Sequence, residues 1–363
     1  MLLASAADLL LEVAARRSLL AQVKLLAAPT AEVEAAVPLL LPLLEDDAAD
    51  VRRLAIALAE EAGRAQPAMI PELLPALLAR LSDESAPTLK RAVAAATALL
   101  RPTLALLLGV ADEAAAAALG PTWQGLCQLR TLVGTLLTSS SAADSVRTAA
   151  AKACEAIVLA YTVDAESAVA EPLATPAGDA AAAGGAWRLS ALPAPTAGDG
   201  DGDGDGADGS TAATAAAAHA LLDRATLEGE GEATLGLLEA TLLAPPSATI
   251  LLVLLTSCAS LAKQRPALLP RLANSLSELQ RRLLSRAPSL AALPTHQLAN
   301  AQQSLRASLL TVLKLPQARL PNRRLHRLVP WHARRQTTTR PQRARLCTHH
   351  IGRRAASAPS VRG

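Results

Sequence analysis

The sequence predicts an all-α protein, a right-handed α-solenoid of HEAT/armadillo-like helix pairs, and three observations carry that reading. The first is composition: half of the 363 residues are apolar, yet only 1% are aromatic, with no Phe, one Tyr and three Trp. The apolar half is therefore mostly Ala and Leu, which helices tolerate best and strands gain least from. The second is an internal repeat. Val37-Pro38-Leu39-Leu40-Leu41-Pro42-Leu43-Leu44-Glu45-Asp46 recurs as Leu74-Pro75-Ala76-Leu77-Leu78-Ala79-Arg80-Leu81-Ser82-Asp83, displaced by 37 positions, a period expected of two-helix repeats. The third is spacing: Val51, Leu54, Ala55, Leu58 and Ala62 fall on one helical stripe, as do Leu89, Val93, Ala96 and Leu100, and Val146, Ala150, Ala153 and Ile157.

Helix pairs are expected at 5–26, 31–63, 67–100, 102–161, 219–263 and 266–315. In three of these pairs the second helix opens with an apolar residue followed by a base: Val51-Arg52, Leu89-Lys90 and Val146-Arg147. That base lies off the apolar stripe and is expected to meet the acidic turn of a neighbouring unit. Pro38, Pro42, Pro71 and Pro75 are expected to shorten or kink the first helices. Gln66-Pro67 and Arg265-Pro266 read as joints between one unit and the next, where Pro at a helix start is tolerated.

Four segments follow. Residues 1–161 and 219–316 hold helix pairs. Between them, residues 162–218 form an acidic Gly/Asp/Pro/Ala-rich loop, expected to be disordered, with the run Gly198-Asp199-Gly200-Asp201-Gly202-Asp203-Gly204-Asp205-Gly206. The alternating carboxylates lack the closing Glu and fixing apolar residues of a calcium loop, so a solvated spacer is expected. Within the loop only Trp187 to Pro193 has the apolar content to dock. Residues 317–363 form an Arg-rich tail.

Charge is distributed unevenly. The formal net charge is +3, but residues 316–363 carry twelve Arg and no acid, which leaves −9 on residues 1–315. An acidic, ring-poor body offers neither phosphate contacts nor stacking platforms, so direct sequence-specific binding of nucleic acid is not expected of it. The uncharged stretch Ala240 to Ala262 is interrupted by Pro245-Pro246 and reads as a buried helix, with no membrane span. Cys127, Cys154, Cys258 and Cys347 form no C-x-x-C pair and suit reduced thiols, with Cys154 and Cys258 in the core.

The residues needed for catalysis are missing from the pattern. His219 and His296 sit singly at expected helix starts, and no P-loop, nucleophile elbow, H-E-x-x-H or dinucleotide fingerprint occurs. Cys347, His349 and His350 do not make a closed metal set. No enzyme activity, cofactor or metal is expected.

Several segments, in order, resemble the N-terminal HEAT domain of the symplekin family and its yeast counterpart. Asp50-Val51-Arg52-Arg53 with Glu60-Glu61-Ala62 is similar to the family's V-R-K…E-E-A helix, and Leu81-Ser82-Asp83-Glu84 with Leu89-Lys90-Arg91-Ala92 to its L-R-D-E…V-K-K/R-A stretch. Val146-Arg147-Thr148, followed by Lys152, Glu155, Ile157 and Val158, resembles I-R-T-H-A-I-K-F-V-E-x-L-I-V. Trp187 to Pro193 resembles an S-L-D-x-I-P loop element, Leu261 to Pro266 the L-A-x-I-A-R-Q-R-P joint, and Leu305 to Pro316 the closing V-R-K…V-L-K-H-P helix. Family Phe positions are Leu or Ala here, and the motif resemblance ends at Pro316. Beyond it two readings stay open: a basic tail, whose Arg323-Arg324 and Arg334-Arg335 would serve nuclear import or phosphate contact, or sequence from a shifted frame or retained intron.

The resemblance implies a nuclear, non-catalytic scaffold of pre-mRNA cleavage and polyadenylation that docks the serine phosphatase of the RNA polymerase II C-terminal domain and other 3′-end processing factors. It places Lys152, with Glu155 and Arg147, at or beside the phosphatase contact. The alternative is an importin/armadillo-type transport or trafficking adaptor, whose groove would show Trp and Asn recurring at fixed positions of successive second helices; no such series occurs.

Overall fold

A computed structural model of the chain describes residues 12–110, 112–163, 187–192, 221–290 and 293–315, together with Leu3 and Ser5. Most of the acidic loop and all of the Arg-rich tail, including the Gly-Asp run, His219 and the residues after Leu315, lie outside the described residues. Among the described residues there are eleven α-helices and no strand. They are α1 (Val13–Leu20), α2 (Thr30–Leu44), α3 (Ala49–Ala65), α4 (Ile70–Ala79), α5 (Ala86–Leu108), α6 (Glu113–Thr138), α7 (Asp144–Ala160), α8 (Arg224–Leu243), α9 (Ala248–Gln264), α10 (Leu269–Ser285) and α11 (Thr295–Leu313).

From α2 onward the helices alternate between two rows. The even-numbered helices form a first row in which each packs on the next, and the odd-numbered helices α3, α5, α7, α9 and α11 form a second row packed in the same succession. The two helices of each pair also touch, and α1 leans on α3. This is a stacked armadillo-like solenoid, the solution open to repeats that cannot bury their apolar faces alone.

The expected stripes do face inward. Val51, Ala55, Leu58 and Ala62 of α3, Val93, Ala96 and Leu100 of α5, and Val146, Ala150, Ala153 and Ile157 of α7 are buried, with Leu54 and Leu89 half-buried at the edges. The core is a continuous cluster of Leu, Ala, Val and Ile, to which rings contribute little beyond Tyr161 and Trp187. Cys154 and Cys258 lie in it, and burial pushes each thiol up to about 12. Helix α5 is long and apolar enough to cross a membrane by length and composition, but it sits in the second row between α3 and α7 with half its apolar window buried.

Local signals set the helix starts. Asp112, Asp223 and Ser247 accept hydrogen bonds from the amides of Ala115 (2.6 Å), Thr226 (2.8 Å) and Ile250 (3.3 Å), capping α6, α8 and α9. Pro67 and Pro266 each open a short 3-10 turn leading into α4 and α10, as expected of unit joints. The two joints share a longer pattern, Pro67-Ala68-Met69-Ile70-Pro71 and Pro266-Ala267-Leu268-Leu269-Pro270, with Gln66 and Arg265 in the same extended conformation (φ −134° and −130°). The prolines at 38, 42 and 75 lie inside α2 and α4, which run on through them.

One expected boundary moves. Pro102 does not begin a new pair; it lies within α5, and the following helix starts at the Asp112 cap. Pro102 removes one intrahelical donor, but the neighbouring Thr103 hydroxyl donates to the Leu99 carbonyl at 2.6 Å and Leu99, Leu100 and Leu104 are wholly buried, so tertiary packing carries the helix past the break.

Successive units are tied by an arginine–aspartate ladder. Arg52 of α3 reaches the turn after α4, where its Nε and Nη2 donate to the two oxygens of Asp83 at 2.7 and 2.9 Å, while Nη1 donates to the Asp46 and Asp47 carbonyls. Arg16 of α1 pairs through Nη1 alone with one oxygen of Asp46, 37 positions before Asp83. Both aspartates also accept a backbone amide two residues on, from Ala48 and Ser85. Lys90, the second base of the expected series, is exposed and meets no acidic turn among the described residues.

Candidate partner-docking site

Helix α7 is the middle member of the second row. It packs on α5 and α9 at its flanks and on α6 and α8 behind. A run of small residues, Ala149 to Ala151 and Ala153, lets these neighbours close in, so that eleven of its seventeen residues are buried and only Ser145 and Lys152 are exposed.

The three residues singled out from sequence separate into different roles. The Lys152 ammonium stands half in solvent and donates to Glu155 Oε2 at 2.8 Å, one turn on. Glu155, expected at the partner surface, turns inward: its side chain is 10% exposed, and the same oxygen accepts the Ser257 hydroxyl of α9 at 2.6 Å. The carboxylate thus bridges two adjacent units and fixes the lysine above it. Arg147, also expected at the surface, is buried and serves its own unit: Nε and Nη2 donate to the carbonyls of Ser139 (2.9 Å) and Ser140 (2.7 Å), and Nη1 pairs with Asp144 at 3.2 Å. It closes the turn between α6 and α7 and does not reach a neighbouring unit, unlike Arg52.

The far end of α7 holds a second set of contacts. Trp187 is buried and its indole N–H donates to the Ala160 carbonyl at 2.9 Å, and Leu189 and Leu192 are buried beside it, so this short part of the long loop docks at the joint. Arg265, after α9, donates through Nε to the Thr162 carbonyl and hydroxyl (3.1 and 3.0 Å) and through Nη2 to the Leu159 carbonyl. Burial draws the Arg265 guanidinium below its ordinary value, and the like charge of Arg101 adds to this. From the other side Gly231 of α8 meets Tyr161, where a side-chain carbon would come within 3.0 Å of the Tyr161 carbonyl oxygen. Ser257 and Arg265 were not marked as site residues by their sequence surroundings, since their partners lie 102 and 103 or more positions away.

Among the described residues no group of three or more His, Cys, Asp or Glu side chains is placed to hold a metal ion. Cys127 is half-buried, and desolvation followed by the charge of Glu230 raises its thiol pKa, which disfavours a nucleophilic thiolate. His296 is exposed at the second position of α11.

No match was found among curated proteins. Among solved structures, a designed armadillo repeat protein in complex with the peptide (KR)4 is similar at 15% identity, with a TM-score of 0.38, over 85% of this chain and 98% of that one. The Symplekin/PTA1 N-terminal family matches residues 85–349, beginning after the Val51-Arg52 motif and continuing past Pro316, where the motif resemblance ends. That range takes in α7, the Lys152–Glu155 pair and the Trp187 segment, and spans well over half of the sequence. The chain therefore belongs to the Symplekin/PTA1 N-terminal family, non-catalytic scaffolds of mRNA 3′-end processing.

Proposed function

We propose that this chain docks the serine phosphatase of the RNA polymerase II C-terminal domain on the second helix row and holds it, in the nucleus, near other 3′-end processing factors. The observation that carries the reading is Lys152: it is the exposed charge on the most enclosed helix of the stack, and it is held in place by a carboxylate that is itself fixed by Ser257 of the next unit. A cation presented from a rigid, pre-formed surface loses little side-chain freedom on binding, which is how a single charge becomes worth measuring at an interface. Arg147 and Glu155 contribute by positioning, the first by closing the turn at the start of α7 and the second by orienting Lys152. The importin-type adaptor is disfavoured because α3, α5, α7 and α9 contain neither Trp nor Asn.

Titration of the phosphatase against the full chain tests this. Lys152→Ala should weaken binding by ~1–3 kcal/mol with circular dichroism and melting unchanged. Arg281→Ala, which removes an exposed charge from α10 in the opposite row, should change it little. If both variants bind as the parent does, Lys152 is not at the contact.

A further inference from the structure

The central helices of the second row, α5, α7 and α9, are each covered behind by the first row and on both flanks by their neighbours, which leaves each one open face. On the three central helices the exposed charges on that face share one sign: Lys90 and Arg101 of α5, Lys152 of α7 and Lys263 of α9. Helices α5 and α9 contain no acidic residue. The two acids of α7 are accounted for, Asp144 by Arg147 and Glu155 by Lys152 and Ser257. Helix α3 differs: Arg53 and Arg64, each 37 positions before Lys90 and Arg101, are balanced by Asp50 at 3.2 Å and Glu60 at 3.6 Å. Among the described residues no carboxylate pairs with Lys90, Arg101 or Lys263. Among the described residues, Lys90, Arg101 and Lys263 thus have no paired carboxylate and Lys152 shares that of Glu155 with Ser257, so the best-packed stretch of the second row presents a basic patch.

The patch has a definite size. Eleven residues of α5 separate Lys90 from Arg101, about 16 Å along the helix axis. Three neighbouring helices at the usual interaxial spacing of 8–10 Å place Lys263 roughly 16–20 Å across from α5. An extended chain covers that width with about five or six residues.

We propose that this face binds a short acidic segment of a protein partner, with Lys90, Arg101, Lys152 and Lys263 meeting its carboxylates or phosphates. The inference rests on the reading of the second row as the partner face, but not on the partner being the phosphatase. Nucleic acid is the other polyanion a basic face could take, and it is disfavoured here because among the described residues the face carries no stacking platform. Tyr161 and Trp187 are buried and Trp123 belongs to α6 in the first row.

The test is fluorescence anisotropy with the full chain at about 0.15 M salt, where unspecific attraction is screened beyond about 8 Å. The probes are a labelled peptide of repeated Glu-Pro-Ser, its Gln-Pro-Ser counterpart, its phosphoserine form and an oligouridine of similar length. The expected result is binding of the Glu peptide over the Gln peptide, weakened at least about tenfold in a Lys90→Ala/Arg101→Ala/Lys263→Ala variant and unchanged in Arg281→Ala. Because the Arg-rich tail is common to all these proteins, the difference between them reports the face alone. Tighter binding of the phosphoserine form would identify phosphate as the preferred anion, and equal binding would identify carboxylate. The proposal is overturned if the Gln peptide binds as well as the Glu peptide, if the triple variant binds as the parent does, or if oligouridine binds more tightly than either peptide. Charge-dependent peptide binding alongside a phosphatase titration indifferent to Lys152→Ala would remove Lys152 from the phosphatase contact and keep the acidic segment; weakened phosphatase binding in Lys152→Ala without charge-dependent peptide binding would keep the phosphatase contact and discard the acidic segment.

Discussion

Two glycines of α8, two positions apart, provide a direct test of how closely α7 and α8 approach. By helix propensity alone, Gly→Ala inside a helix should stabilise by ~0.8–1 kcal/mol at either position. At Gly229 nothing lies within 4 Å of the added carbon, so that gain should be realised. At Gly231 the added carbon would stand 3.0 Å from the Tyr161 carbonyl oxygen and 3.1 Å from its Cβ. These are backbone and near-backbone atoms fixed by the Trp187 and Arg265 contacts around them, so they cannot swing aside as the end of a flexible side chain would. Either α8 shifts or α7 loses its end, a cost of ~1–3 kcal/mol for overpacking a well-packed site. The propensity gain is then cancelled or reversed, and the two variants should differ by the packing contribution itself, ~1–3 kcal/mol. Urea denaturation of the full chain followed by far-UV circular dichroism measures this, with the Gly229→Ala midpoint above the parent and Gly231→Ala at or below it. Equal upward shifts would refute the close approach.

Three further outcomes are expected. Trp187→Phe, which keeps a ring but loses the donor to Ala160, should cost ~1 kcal/mol, and Trp187→Ala ~3–5 kcal/mol, both read by denaturant midpoint; midpoints equal to the parent would show that the segment does not dock. Burial opposes the charge on Asp83, but hydrogen bonds from Arg52 and the Ser85 amide outweigh it and hold the carboxyl below its ordinary value. Its contribution is therefore present above the unfolded pKa of about 4 and is lost as pH falls below that, so Asp83→Asn should flatten the acid limb of a stability–pH profile and change its neutral plateau downward. With thiols at about 12, Cys154 and Cys258 should resist iodoacetamide at pH 8 in the native chain and react once it is denatured, which peptide mass mapping would report.

The parts of the fold legible from sequence are those set by local or regularly repeated signals. The 37-residue displacement of Pro, Leu and Asp locates the first units because the same acidic turn recurs there, with Asp46 paired to Arg16 and Asp83 to Arg52. The Pro67 and Pro266 joints were visible because proline at a helix start constrains the backbone within the segment itself. Pro102 misled for the complementary reason: a local break was overridden by Leu99, Leu100 and Leu104 packing from outside the segment. The site divides along the same line. The position of Lys152 off the apolar stripe could be read from spacing, since the helical period of about 3.6 residues suffices. The inward turn of Glu155 could not, because it depends on a hydroxyl 102 residues further on, and a serine in an apolar helix gives no sign of which carboxylate it will meet.

The contacts at the end of α7 also bear on the order in which the chain is made. Its last carbonyls, the negative pole of the helix, are satisfied by Trp187 and by Arg265, which follow on the polypeptide by 27 and more than 100 residues. During synthesis the first three pairs are complete 27 residues before Trp187 and more than 100 residues before Arg265 is added. Until then α7 ends with open hydrogen-bond acceptors and an uncovered flank where α9 will lie. The N-terminal half is thus a semi-finished edge, and residue 265 is the point in translation at which that edge is sealed.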